Sequence, residues 1–67
     1  MKEKERVPIA QKLNLTVDEA VEYSNIGEHK IRSLLKEPDC DFRLMKGTNV
    51  LIKRKKFEEY ISKLEVI

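Results

Sequence analysis

Apolar residues recur along this chain in two rhythms, and the changes of rhythm mark out its elements. Val7-Pro8-Ile9 is apolar and reads as extended chain, as residues around proline tend to be. Leu13-Asn14-Leu15 alternates, the period of a short strand. Val17, Ala20 and Val21 then return at helical spacing, with Glu22 facing outward and Tyr23 at the edge, either against the core or toward a phosphate. After a break at Ile26-Gly27 the helical rhythm resumes in Ile31, Leu34 and Leu35. Alternation comes back in Phe42-Arg43-Leu44-Met45 and in Val50-Leu51-Ile52-Lys53. Phe57, Tyr60, Ile61 and Leu64 follow at i, i+3, i+4 and i+7, a third helix whose apolar side closes the core.

The polar residues between these stretches fix the boundaries. Thr16 and Glu19 are spaced as a capping box, the hydroxyl accepting from the Glu19 N–H and the carboxylate from the Thr16 N–H. Leu15 and Ala20 make a weak hydrophobic staple across it. Gly27 stops the first helix from continuing. The second helix runs from about Glu28 to Lys36 or Glu37, because Pro38 disfavours helical geometry at the residue before it. An acidic connector, Glu37 to Asp41, leads to a hairpin turned at Lys46-Gly47-Thr48-Asn49, where Gly47 supplies a positive φ. Phe42, Leu44, Val50 and Ile52 are expected to share the core face, with Arg43, Met45, Leu51 and Lys53 on the other. Two short helices across a tight turn, followed by a hairpin, spell a helix-turn-helix with a wing. The expected fold is therefore α+β, a small winged helix forming a single domain over residues 1–67.

Charge sharpens this picture. The chain of 67 residues carries a net charge of only +2. Yet Glu28 to Lys56 holds nine Lys/Arg against four acids, while the remainder holds five bases against eight acids. A basic middle in a nearly neutral chain points to one surface facing a polyanion. On the second helix the side away from Ile31, Leu34 and Leu35 presents His29, Ser33 and Lys36, flanked by Lys30 and Arg32, with Glu28 at its start. These positions suit a helix lying in a DNA major groove. Arg32 is the first choice for a base contact, since a guanidinium bonds a guanine edge in bidentate fashion. Lys36, Lys53, Arg54, Lys55 and Lys56 are expected to hold phosphates, giving affinity and register. Lys46, Thr48 and Asn49 at the wing would lie along the minor groove. A body that grips two grooves favours a bend. Five phosphate contacts predict a log–log salt slope of about −4 to −5.

Other classes find little support. The carboxylates are scattered over helix surfaces, with no Gly-rich phosphate loop and no nucleophile–base pair, so no catalytic residues and no cofactor are expected. His29 is the sole histidine, which argues against a metal site. Phe57 and Tyr60 fall at core spacing rather than as base-stacking platforms. Cys40 has no partner for an internal disulfide, which fits a reducing cytoplasm. No apolar run reaches the ~20 residues needed to span a bilayer. Met1 to Arg6 is charged, lacks an apolar stretch behind it and is expected to fray.

Leu15-Thr16-Val17-Asp18-Glu19-Ala20, Ile26 to Arg32, Met45-Lys46-Gly47 and the run Ile52 to Glu58 together carry a resemblance. From about Pro8 onward the chain resembles excisionases of conjugative transposons, small winged-helix proteins related to the DNA-binding domain of MerR-type regulators. The resemblance implies a bacterial protein that binds repeated sites in the double-stranded arms of a mobile element and bends them. It also implies a tyrosine-recombinase integrase as partner, which performs the covalent chemistry. A lone domain this small makes few contacts, so weak single-site binding is expected, with neighbouring copies side by side on adjacent sites supplying useful affinity through effective concentration. Many relatives place arginine at the wing tip where this chain has Asn49, a neutral group that would enter the minor groove less strongly. Two rival readings stand beside this one. A MerR-like transcriptional regulator would use the same fold but ordinarily adds a dimerisation helix and an effector domain, and neither is expected before Ile67. A protein-interaction module would dock on the integrase through Met45, Leu51 and the Val66-Ile67 tail.

Overall fold

The computed structural model describes residues 7–67. The frayed segment expected at Met1 to Arg6 lies outside those residues. A 3-10 turn, Ile9–Gln11, precedes strand β1 (Asn14–Leu15), helix α1 (Val17–Ser24), helix α2 (Glu28–Leu35), strands β2 (Arg43–Lys46) and β3 (Asn49–Lys53), and helix α3 (Arg54–Ser62). The strands form an antiparallel sheet in the order β1-β3-β2. Three helices on a three-stranded sheet with a projecting hairpin make the winged helix that the sequence predicts.

Ile9 corrects the expectation of extended chain. Pro8 itself is extended, but the Gln11 N–H bonds the Pro8 carbonyl at 2.9 Å and the Lys12 N–H bonds that of Ile9 at 3.1 Å, winding the segment into a turn. Proline restricts the residue before it, not those after it.

Each apolar rhythm delivers residues to one core. β1 supplies Leu15 and β3 supplies Ile52, paired directly across the ladder and both fully buried. Val17 and Ala20 from α1 and Ile31, Leu34 and Leu35 from α2 pack with them. Phe42 and Phe57 complete it with ring centroids 5.3 Å apart in an edge-to-face arrangement, and the Tyr60 ring lies 5.3 Å from Phe42 in a tilted one. Losing either phenylalanine side chain should cost about 3–5 kcal/mol, a large share of what so small a core can supply. No polar side chain of the described residues is buried.

The hairpin differs from expectation in its faces. Gly47 takes φ +62°, and Thr48 keeps a negative φ, the pattern of a type II′ turn. A two-residue turn pairs Lys46 with Asn49, Met45 with Val50, Leu44 with Leu51 and Arg43 with Ile52. Paired residues project to the same side of a sheet. Val50 and Ile52 therefore share a face with Met45 and Arg43. Leu44 does not join them: it stands half-buried on the opposite face, against Leu51.

Candidate nucleic-acid interface

The joint between α1 and α2 sets the angle of the second helix. The capping box at the start of α1 forms as its spacing predicts, with bonds of 3.1 Å and 3.0 Å between Thr16 and Glu19. At the other end, Asn25 rather than Gly27 takes the left-handed turn, with φ +62° and its N–H on the Val21 carbonyl at 2.9 Å. Ser24 Oγ donates to the Ala20 carbonyl at 2.6 Å and accepts from the Ile26 N–H at 3.2 Å, satisfying the frayed end. Gly27 is extended at the N-cap of α2, with open space where a Cβ would stand. Its carbonyl accepts from the Ile31 N–H at 3.1 Å. The far end of α2 is pinned by Arg43, which donates through Nη1 to the Leu35 carbonyl, a cationic cap on the helix C-terminus.

With Ile31, Leu34 and Leu35 buried, His29, Ser33 and Lys36 stand outermost on α2 and are all exposed. Helical spacing puts Glu28 and Arg32 on one flank of that face and Lys30 on the other. The structure gives each flank its own groove. Arg32 lines an open groove of about 450 Å³ together with Lys46, Thr48 and Asn49 of the wing, Val50 and Leu51 of β3, and Thr16, Val17 and Asp18 at the start of α1. Lys30 instead lines a groove on the far side with Glu37, Asp39 and Asp41 of the acidic connector. Arg32 Nε donates to Glu28 Oε2 at 2.7 Å.

The basic run stands apart from this groove, at the end of β3 away from the wing tip. Lys53 is the N-cap of α3 and makes no side-chain capping bond, and Arg54, Lys55 and Lys56 form a first turn that contains no acid. Bases at the positive end of a helix dipole are unfavourable, by roughly 0.3–1 kcal/mol each, until an anion arrives. Lys53, Lys55 and Lys56 are exposed. Arg54 is occupied: Nε donates to the Lys12 carbonyl at 2.6 Å and Nη1 to Glu58 Oε2 at 3.0 Å, and its side chain is only 15% exposed. Glu58 also accepts from the Tyr23 hydroxyl, and Lys12 Nζ donates to Glu19 of the capping box. One chain of bonds thus runs from α1 through Lys12 and Arg54 to α3. The Tyr23 bond, and after it the Arg54 guanidinium, hold the Glu58 carboxyl below its ordinary pKa, while the Glu58 carboxylate raises the Tyr23 hydroxyl. The Lys12 ammonium and the Thr16 N–H do the same for Glu19.

Comparison with known proteins identifies the family. The family described as excisionase from transposon Tn916 matches residues 1–66. A curated protein of that description from Streptococcus agalactiae serotype V (strain ATCC BAA-611 / 2603 V/R) is 40% identical over 62 residues, 91% of this chain and 92% of the relative. The chain belongs to the Tn916 excisionase family.

Within this member of the family, two groove positions were invisible to sequence reasoning. Thr16 and Asp18 reach the groove because β1 pairs with β3, a long-range contact that no local pattern announces. The opposite holds for Arg54, which looked like part of a free basic run. Among the described residues, no three His, Cys, Asp or Glu side chains converge as a metal site requires, and no helix is long and apolar enough to cross a membrane.

Proposed function

We propose that this excisionase acts as an architectural DNA-binding protein. It binds and bends the double-stranded arms of its element so that a tyrosine-recombinase integrase excises it, and it performs no covalent chemistry itself. The observation that carries this reading is the groove in which Arg32 of α2 and Lys46, Thr48 and Asn49 of the wing face a common space. A helix in the major groove and a wing along the adjacent minor groove would use that surface together. His29, Ser33 and Lys36 on the exposed side of α2 complete the major-groove surface, and Lys30 reaches it from the acidic flank.

Phosphate contacts fall to Lys36, Lys53, Lys55 and Lys56, exposed cations without a protein partner among the described residues. Arg54, expected from sequence to join them, is assigned to holding α3 against the Lys12 segment. Four contacts rather than five give a log–log salt slope of roughly −3 to −4. One domain with so few contacts binds a single site weakly, so neighbouring copies on adjacent sites would supply useful affinity through effective concentration. The place of action is the bacterial cytoplasm, where element and integrase meet.

Footprinting on the arms of the encoding element tests the proposal. Spaced protected repeats, with enhanced cleavage between them where the duplex bends, are expected, and excision should require them. Uniform coating without a preferred site would sink the architectural reading. Control of a promoter with no effect on excision would favour a MerR-like regulator in its place.

A further inference from the structure

Three side-chain ion pairs are present among the described residues. Lys12–Glu19 and Arg54–Glu58 belong to the chain of bonds that joins segments of the fold. The pair between Arg32 and Glu28 joins nothing, since both residues lie on α2 one turn apart, with 52% and 53% of their side chains exposed. Exposed pairs of this spacing contribute little to stability. A carboxylate placed beside the base-reading surface would repel every duplex. Its presence there calls for a role in choosing among duplexes.

We propose that Glu28 is a specificity-determining residue, which presets the Arg32 guanidinium for a guanine edge while withholding it from phosphate. The inference rests on the DNA-binding reading above. With Nε–H bonded to Glu28 at 2.7 Å, the guanidinium is held before docking, so less side-chain freedom is lost on binding. Its two terminal Nη groups make no hydrogen bond among the described residues. They remain as the end-on fork that guanine O6 and N7 accept. The pair is neutral as a unit. Phosphate binding rewards charge and the counterions it displaces, and a neutral pair offers little of either. A base edge rewards directed N–H groups, and these the pair keeps. Asp18, lining the same groove, adds a second negative charge against a phosphate there.

Glu28 also occupies the first turn of α2, where the helix dipole favours an acid and where Gly27 provides no side-chain cap. The test must therefore read selectivity as well as stability. Glu28→Gln, Arg32→Gln and the double variant of the full chain are titrated with an element-arm duplex and with a scrambled duplex, over a range of salt. For Glu28→Gln the scrambled duplex should bind more tightly, with a salt slope steeper by about 0.9. The arm-to-scrambled preference should drop about tenfold, the scale of one guanine contact. In the Arg32→Gln background the Glu28 change should leave the preference unmoved. A lowered melting temperature with the preference intact would assign Glu28 to helix stability and overturn the proposal. An equal gain on both duplexes would reduce it to simple charge removal and overturn it too. A wild-type chain that binds both duplexes alike would instead overturn the DNA-reading role of α2 and this inference with it.

Discussion

The two basic regions of this molecule are built on opposite terms. Around α2 and the wing, acids stand among the bases: Arg32 is paired with Glu28, Asp18 lines the same groove, and Lys30 shares its groove with Asp39 and Asp41. At the start of α3 the exposed lysines Lys53, Lys55 and Lys56 form no ion pair among the described residues, and the positive end of the helix dipole adds to them. The division extends to residue type. Each of Arg32, Arg43 and Arg54 is hydrogen-bonded to protein, whereas among the described lysines Lys12 alone is. A planar fork is suited to being held in one orientation, and a flexible ammonium to offering charge in any. The contrast separates a surface arranged for direction from one arranged for attraction.

The largest effect that sharpens this contrast comes from Arg54. Arg54→Ala leaves the Lys12 carbonyl and the Glu58 carboxylate short of a mostly buried donor, which should cost about 1–3 kcal/mol. A thermal melt should fall by on the order of 10 °C for a domain of this size. The salt slope of DNA binding should not change. A slope shallower by about 0.9 would place Arg54 among the phosphate ligands and break the division between arginines and lysines. Arg32→Gln should do the reverse. Its melting temperature should barely move, because an exposed i,i+4 pair contributes only ~0.3–0.5 kcal/mol. Discrimination at a single base pair should drop by about 1–3 kcal/mol in competition titrations against a panel of substituted sites.

These two arginines also show what was legible in the sequence. Features whose partners lie within one turn were readable. The capping box of Thr16 and Glu19 and the positive φ of Gly47 both stand as their spacing implies. The faces of α2 follow from period alone. Arg54 was not readable as a structural residue, because one of its acceptors is the Lys12 carbonyl, 42 positions away. Leu44 was assigned to the wrong face for a reason of parity. A two-residue turn pairs even positions on one strand with odd positions on the other, so Leu44 must sit with Leu51. Asn25 was overlooked at the end of α1 because Gly27 stood nearby, although asparagine also tolerates the left-handed region. Lys30 and Arg32 were readable as flanks of the outer face from period alone, but the different groove that each flank lines depends on the wing and the acidic connector.

The α3 side of the comparison predicts effects of opposite sign. Replacing Lys55 and Lys56 together with alanine should flatten the salt slope by about 2 and weaken binding to all duplexes alike, leaving sequence preference intact. Removing two bases from the positive end of a helix should meanwhile stabilise the fold, by roughly 0.3–1 kcal/mol for each. Melts and binding isotherms of the same variant check both. A variant that loses stability along with affinity would show that these lysines hold the fold, and would erase the distinction from Arg54.

The smallest effect concerns the bonds that join α1, Lys12 and α3, and it appears as a dependence on pH. Glu19 is held below the ordinary glutamate value of 4.5 chiefly by Lys12, and Glu58 chiefly by the Tyr23 hydroxyl. A carboxyl whose pKa is lower in the folded chain binds protons more readily once unfolded. Its contribution to stability is complete above the ordinary value and is lost as pH falls through the lowered one. Melting temperature should therefore be flat from neutrality down to about pH 5 and fall below that. Glu19→Gln should flatten the acid limb more than Glu58→Gln, because the Glu19 side chain is 23% exposed against 40% for Glu58, and water screens the second more. The Tyr23 hydroxyl, raised above its ordinary value of 10.0 by Glu58, contributes on the other side. Its share is present below that value and is lost as pH rises through the raised one. Tyr23→Phe should accordingly leave the acid limb dominated by Glu19 and remove the alkaline loss. An acid limb unchanged by Glu19→Gln would mean that Lys12 and the capping box do not couple to the stability of the fold.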